Sequence, residues 1–341
     1  MKTVILAFLI FSTSARSGVT DVEFMPETGN LYLKSTFSMN KQKRKETSPF
    51  LQNQVEEREQ ESMTLENSLT YSFYKNFELG IEWDISISDE TVITSQTQNG
   101  VAQTSGNSTT NFFDDSIDNP GIQDPFLKGR FRMPLPGDLG FNLDLFGAIS
   151  PSIGGAERGD SDDNPRANLE GNAFWGGHRA RIGMGINHDN DQFQWSINVI
   201  AQINFEREIK QYDATTSPLP SHAVYIIDTY QDFTLETKIL FELTDRVHLL
   251  SSLAIKVNGS QDSTNQTTSS LTSQTESSSD IELGLDAYWN FTDMLSARIG
   301  FKYSSLGEYD VDEFNVSTLT SSTKYSDLSK TSIQTGVNFS F

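Results

Sequence analysis

Residues 77–88 read Phe77-Glu78-Leu79-Gly80-Ile81-Glu82-Trp83-Asp84-Ile85-Ser86-Ile87-Ser88, every second residue apolar and the rest polar or glycine. Side chains of an extended chain point alternately to opposite faces, so the pattern predicts a strand with one apolar and one wet face. The preceding stretch alternates in the same way, with Met63, Leu65, Leu69, Tyr71 and Phe73 against Thr64, Glu66, Ser68 and Thr70. Lys75-Asn76 lies between them as a tight turn, and the two stretches make a hairpin.

The same reading extends outward in both directions. Leu31, Leu33, Phe37 and Met39 alternate with Tyr32, Lys34, Thr36 and Ser38, and nine more segments follow at about 124–133, 139–149, 177–187, 192–206, 229–243, 247–258, 280–290, 294–304 and 330–341. Alternation is poor near Ser221 to Tyr230. Short turns at Lys75-Asn76, 134–138, 188–191, 244–246 and 290–293 take turns with long polar loops such as Ser88 to Asn119, Ser150 to Gly171 and Gly259 to Ser279. Twelve antiparallel strands with short turns at one end and long loops at the other are the plan of an up-and-down transmembrane β-barrel, with periplasmic turns and extracellular loops.

A soluble β-sandwich would show the same alternation, and the composition of the apolar phase separates the two. A lipid-facing band excludes charge near the bilayer midplane. The apolar phase of the strands contains no Asp, Glu, Lys or Arg, as in Phe193, Trp195, Ile197, Val199, Ala201, Ile203 and Phe205. Aromatic residues gather near segment ends, at Phe73, Phe77, Phe131, Phe141, Phe193, Phe205, Phe241, Trp289, Phe301 and Tyr303, where interfacial girdles lie.

Composition narrows the function classes. The chain has 341 residues with 46 acidic and 25 basic side chains, a net charge of −21 and no cysteine. Disulfides, thiolate metal sites and cysteine nucleophiles are thereby excluded. The acidic excess argues against a nucleic-acid partner, which would need clustered Lys and Arg. The mean hydropathy of −0.42 looks soluble, but averaging over a barrel mixes an uncharged outer stripe with a polar inner one. Met1-Lys2-Thr3, the apolar run Val4 to Phe11 and the small residues after it read as a signal peptide over 1–17, cleaved near 15–17. Residues 18–29 then form a short periplasmic segment, and 30–341 the barrel.

Two stretches carry resemblances. The last strand, Ile333-Gln334-Thr335-Gly336-Val337-Asn338-Phe339-Ser340-Phe341, resembles the terminal signature by which barrel-assembly machinery recognises bacterial outer-membrane proteins, with Phe339 and Phe341 as the signal. Gly121-Ile122-Gln123-Asp124-Pro125, leading into Lys128-Gly129-Arg130-Phe131-Arg132, resembles the "Gly-x-Gly-Asp" approach to a basic-aromatic strand in the MetA-pathway-of-phenol-degradation family, with Gln123 in place of Gly. That likeness covers roughly residues 120–341 by layout. It implies an outer-membrane transporter for aromatic or hydrophobic compounds.

The inward phase holds the chemistry. Glu66, Glu78, Glu82, Asp84, Asp144, Glu206, Glu236, Glu242, Glu282 and Asp286 stand against Lys34, Lys128, Arg130, Arg132, Arg179, Arg181, Lys238, Lys256, Arg298 and Lys302. The two sets are equal in number, so the acidic excess lies in loops, turns and termini, as rims that repel anions or hold divalent cations at a lipopolysaccharide surface. Glu78, Glu82 and Asp84 are placed to meet Lys128, Arg130 and Arg132. Asp144 comes between that row and Arg179 and Arg181, and Glu282 and Asp286 lie beside Arg298 and Lys302. Such rows either stabilise the wall by cross-strand pairing or form a constriction with a transverse field.

No cofactor and no metal is assigned. Asp160-Ser161-Asp162-Asp163-Asn164 begins like a calcium loop, but Pro165 takes the place of the turn glycine and Gly171 that of the bidentate Glu, which leaves a solvated acidic loop. His178, His188, His222 and His248 show no metal-ligand spacing. An outer-membrane hydrolase would need a Ser beside a His and an orienting group, and the register supplies none. A structural or adhesive surface protein acting through its polar loops is the other alternative. The expected function is passive passage of small solutes through a narrow, charge-lined lumen, with outer-membrane lipid, lipopolysaccharide, the assembly machinery and the solute as partners.

Overall fold

The computed structural model describes residues 28–48, 54–102, 121–137, 140–158, 173–188, 193–213, 221–266, 270–315 and 318–341. The signal peptide, nearly all of the 18–29 segment and the calcium-like loop at 160–171 lie outside the described residues.

In chain order the strands are β1 (Leu31–Ser48), β2 (Gln54–Tyr74), β3 (Phe77–Gln98), β4 (Val101–Ala102), β5 (Gly121–Ile122), β6 (Phe126–Pro134), β7 (Phe141–Ser150), β8 (Ala156–Arg158), β9 (Gly177–His188) and β10 (Phe193–Asp213). They continue as β11 (Ser221–Ile227), β12 (Tyr230–Thr244), β13 (Val247–Asn258), β14 (Gln261–Asn265), β15 (Ser270–Thr275), β16 (Ser278–Thr292), β17 (Leu295–Ser305), β18 (Tyr309–Asn315) and β19 (Thr318–Ser340). Twelve of them close an antiparallel ring in the order β1, β2, β3, β6, β7, β9, β10, β12, β13, β16, β17, β19. The ring shuts where β19 pairs with β1, Leu33 opposite Phe339 and Met39 opposite Ile333. Closure leaves no open edge, the condition for a sheet to stand in lipid.

The distribution of side chains rules out the soluble sandwich. Ile182, Met184, Val199, Leu283, Ile299, Ile333 and Val337 are exposed on the outer surface, while Ser38, Ser72, Ser196, Asn204 and Ser296 are fully buried inside. A soluble protein does not leave so large an apolar surface bare. Around the short-turn end the outer aromatics touch one another, Phe73 on Phe77, Phe141 on Trp195, Phe193 on Phe241, Trp289 on Phe291 and Phe339 on Phe341. His188 joins this girdle, stacked on Trp195 and edge-on to Phe141.

The other edge of the apolar band is set by charge. Met39 faces Met63, and the next outward pair along the two strands is Lys41 opposite Glu61. Lys41 lies 2.6 Å from Glu59 and 3.0 Å from Glu61, and Lys43 lies 2.7 Å from Glu59. These contacts raise the Lys41 pKa and lower that of Glu59. Charge so close to the band marks where lipid ends.

Two expectations about the loops are corrected. β3 continues through Gln98, beyond the start of the loop expected at Ser88, and Gly259 to Ser279 contains the β14–β15 hairpin. About 9–11 residues suffice for a strand to cross a bilayer. β6 and β7, at 9 and 10 residues, match this, whereas β2, β3, β10 and β19 have 21 to 23 and continue past the membrane. Above β12, β13, β16 and β17 the wall is extended by β11, β14, β15 and β18, paired in series between β10 and β19. The poorly alternating stretch near Ser221 is part of this upper wall, which owes its pairing to β10 and β14 rather than to a lipid-facing pattern. Among the described residues, a tall wall therefore runs from β10 around to β3.

Candidate functional site: the charged lumen

Near the short-turn end, Glu78 on β3 stands opposite Arg130 on β6, with Arg130 Nε 3.1 Å from Glu78 Oε1. Asp144 on β7, 2% exposed, accepts two bonds from Arg132, each 2.8 Å, and a third from Asn187 Nδ2 at 2.8 Å. The paired contact is the strong geometry for a guanidinium and a carboxylate. Asp144 is here a fully committed wall group, supported by Asn142 donating to Asn187.

One level higher, Lys128 Nζ reaches Ser68 Oγ at 2.8 Å and Glu82 Oε1 at 3.0 Å. Gly80 makes this possible, since a Cβ there would lie 2.8 Å from the Lys128 side chain and 2.7 Å from a backbone carbonyl. The other oxygen of Glu82 lies 3.7 Å from Arg181 on β9, two strands beyond β6 in the ring. Arg181 Nε also donates to Gln202, which leads through Asn204 to Asp232 on β12. A polar network thus runs from Glu82 on β3 through Arg181 and two amides to Asp232 on β12.

Two cavities meet there. The outer one, about 250 Å³, is lined by Lys34, Glu66, Glu82, Asp84, Phe126, Arg179 and Arg181 among others, and the inner one, about 270 Å³, by Glu78, Glu82, Lys128, Arg130, Arg181, Glu236 and Lys238 among others. Glu82 and Arg181 belong to both.

On the opposite wall Glu282 lies 3.1 Å from Lys256 and 3.2 Å from Lys302, and Asp286 lies 2.9 Å from Arg298. Arg298 also donates to Gln334, which bonds Ser38, which in turn bonds Glu66, so this network crosses the seam where the barrel closes.

The structure redistributes several predicted partners. Asp84 does not meet the basic row: it stands opposite Glu66, and beyond it β3 pairs with β5 instead of β6. Arg132 turns away from the acidic strand to Asp144. Arg179 and Arg181 lie away from Asp144, Arg181 toward Glu82 and Arg179 toward the Asp124 carbonyl and Ser150 Oγ. Glu206 leaves the inward row because a bulge between Asn204 and Arg207 shifts the phase of β10, and Glu206 is exposed.

Asp124 is the residue that reading along the chain missed. It is 2% exposed, and its carboxylate accepts the backbone N–H groups of Ile153, Trp175 and Gly176. Gly176 is needed beside it, with φ of +83° and Ala156 2.6 Å from where a Cβ would be. Around this knot Arg207 lies 3.4 Å from the Trp175 ring and Arg179 5.2 Å, while Arg179 and Arg181 lie 4.5 and 3.8 Å from the Phe126 ring. The family-like motif pointed to Asp124 without showing its partners, which lie 29 to 52 residues away.

The histidines have other roles. His178 accepts the backbone N–H of Ser152, whose hydroxyl bonds Gly154, and His248 contacts Asn290. No group of residues suited to holding a metal ion occurs among the described residues.

No family model matches the chain, and no curated protein matches it by sequence. Among solved structures, an outer membrane channel from Pseudomonas putida F1 superposes with a TM-score of 0.54 at 10% identity, covering 97% of this chain and all of that one. The translocator domain of the autotransporter NalP from Neisseria meningitidis gives 0.43 at 9% identity over 99% and 92% of the two chains. A Pseudomonas aeruginosa FadL homologue gives 0.42 at 11% identity over 91% and 90%. The last two superpose too loosely to carry weight, and the first shows fold alone. The narrower family resemblance finds no support in these matches. The chain has the fold of a bacterial outer-membrane β-barrel, and its uncharged outer band places it in such a membrane.

Proposed function

We propose that the protein is an outer-membrane channel through which small polar solutes pass by diffusion. The observation that carries this reading is the pair of cavities stacked within a closed barrel and meeting at Glu82 and Arg181. Both residues are partly exposed, which suits a constriction that ions and small solutes can pass, unlike the fully committed Asp144 knot below. A transverse field between acidic β3 and basic β9 would orient dipoles as they cross.

The lining sets a condition on the aromatic solutes that the family resemblance implies. Charged groups surround both cavities, and a bare hydrocarbon would strip their hydration without replacing it. An aromatic solute would therefore have to carry charge or hydrogen-bonding groups. Lipopolysaccharide around the upper wall and the assembly machinery reading Phe339 and Phe341 are the partners that accompany this function.

Planar-bilayer recording of the purified protein tests it. Discrete conductance steps are expected, and a barrel that is folded by its heat-modifiable gel mobility yet passes no current or solute would overturn the channel reading.

A further inference from the structure

We infer that the outer cavity selects zwitterionic solutes of the size of an α-amino acid, a statement that rests on the channel reading and names its substrate class.

Seven charged side chains line this cavity: Lys34, Glu66, Glu82, Asp84, Asp124, Arg179 and Arg181. Most are engaged within the wall. Glu82 contacts Lys128 and Arg181, and Glu66 accepts the Ser38 hydroxyl and lies diagonally across the strand pairing from Lys34, which is itself opposite Ser68. Two of opposite sign, Asp84 and Arg179, attract one another across the cavity without closing to an ion pair. Asp84 makes no hydrogen bond or ion pair through its carboxylate among the described residues, and its direct cross-strand neighbour is another carboxylate, Glu66. Arg179 spends its bonds on neutral oxygens, the Asp124 carbonyl at 3.2 Å and Ser150 Oγ at 3.5 Å, and its buried Nε has no acceptor among the described residues.

The cavity thus presents two carboxylates opposite one another on β2 and β3 and, facing them, a guanidinium on β9 that attracts Asp84 without closing to an ion pair. Like charges directly opposite on a sheet repel, and a cation between them removes the repulsion. A donor without an acceptor in a confined site likewise favours an anion. One molecule that carries an ammonium and a carboxylate satisfies both ends. A monoanion leaves Asp84 and Glu66 facing each other, and a monocation leaves the Arg179 Nε without an acceptor. Phe126, held under Arg179 and Arg181, fixes the guanidinium end in place.

The test is single-channel current in planar bilayers at neutral pH with three probes of one skeleton: L-alanine, propionate, which lacks its ammonium, and ethylammonium, which lacks its carboxylate. L-alanine should block the current saturably at a concentration about tenfold below either of the others. In Asp84→Asn, and in Glu66→Gln as a second variant, that preference should shrink to the level of propionate while the heat-modifiable mobility persists. Equal block by all three probes would overturn the inference and leave the channel standing. A preference that survives both substitutions would overturn the assigned site. No current in the wild type with any probe would overturn the channel reading and the inference with it.

Discussion

Arg181 Nη1 on β9 lies 3.7 Å from Glu82 Oε2 on β3, across the span occupied by β6 and β7 in the ring. The two side chains come from strands that share no hydrogen bond, so the contact narrows the lumen rather than lacing one seam of the wall. Their side chains are 35% and 37% exposed. Arg181→Ala should therefore lower stability by less than about 1 kcal/mol while raising single-channel conductance and shifting selectivity toward cations. Conductance and reversal potential in a salt gradient check this, and unchanged values would make the pair structural.

Asp144 behaves differently because it is enclosed. Its side chain is 3% exposed and holds Arg132 by two bonds. Asp144→Ala takes the paired acceptor from the part-buried Arg132 guanidinium and should cost about 1–3 kcal/mol, read as an earlier urea midpoint for loss of the heat-modifiable band.

Asp124→Ala removes the acceptor of three backbone N–H groups. A loss of about 1–3 kcal/mol is expected, concentrated in the connection from β7 to β9. Limited proteolysis should cut within 151–176 sooner than in the wild type, with the barrel band intact.

Ile299 is 60% exposed on the outer face and central in β17. Ile299→Lys should cost about 2–4 kcal/mol in bilayers, and Tyr303→Lys, nearer the upper edge, about 0–1 kcal/mol. Folding yields into lipid vesicles compare the two, and equal yields would remove the lipid-facing assignment.

Tyr325 lies on the upper wall above the membrane, opposite Glu46 and stacked on Tyr309 with ring centroids 4.8 Å apart. Burial, with Glu46 and Tyr309 nearby, pushes its phenol up to about 12. A raised phenol pKa means that the unfolded chain ionises first. The contribution of the neutral phenol is intact below pH about 10 and is lost between about 10 and 12. The difference in phenolate absorbance between wild type and Tyr325→Phe should show a transition near the upper end of that window.

The twelve ring strands, their turns and the uncharged outer face were legible along the chain, because alternation with period two is a local property and the bilayer imposes one simple rule on every outward residue. That rule was enough to read Phe193 to Phe205 as lipid-facing without any knowledge of neighbours. It stops at the membrane edge. Past Met39 and Met63 the outward residues are Lys41 and Glu61, and the upper wall of β11, β14, β15 and β18 had no lipid to impose a pattern, so its strands read as polar loop. Register decided the lumen. A bulge at Asn204 exchanged Glu206 for Arg207, a change of partner from β6 to β5 left Asp84 beyond the basic row, and barrel closure brought Glu82 to Arg181. Sequence by itself determined which residues face inward over most of the barrel. Only the tertiary structure decided which of them meet, because contacts across a lumen depend on the stagger of strands that are not neighbours, and no spacing along the chain records that.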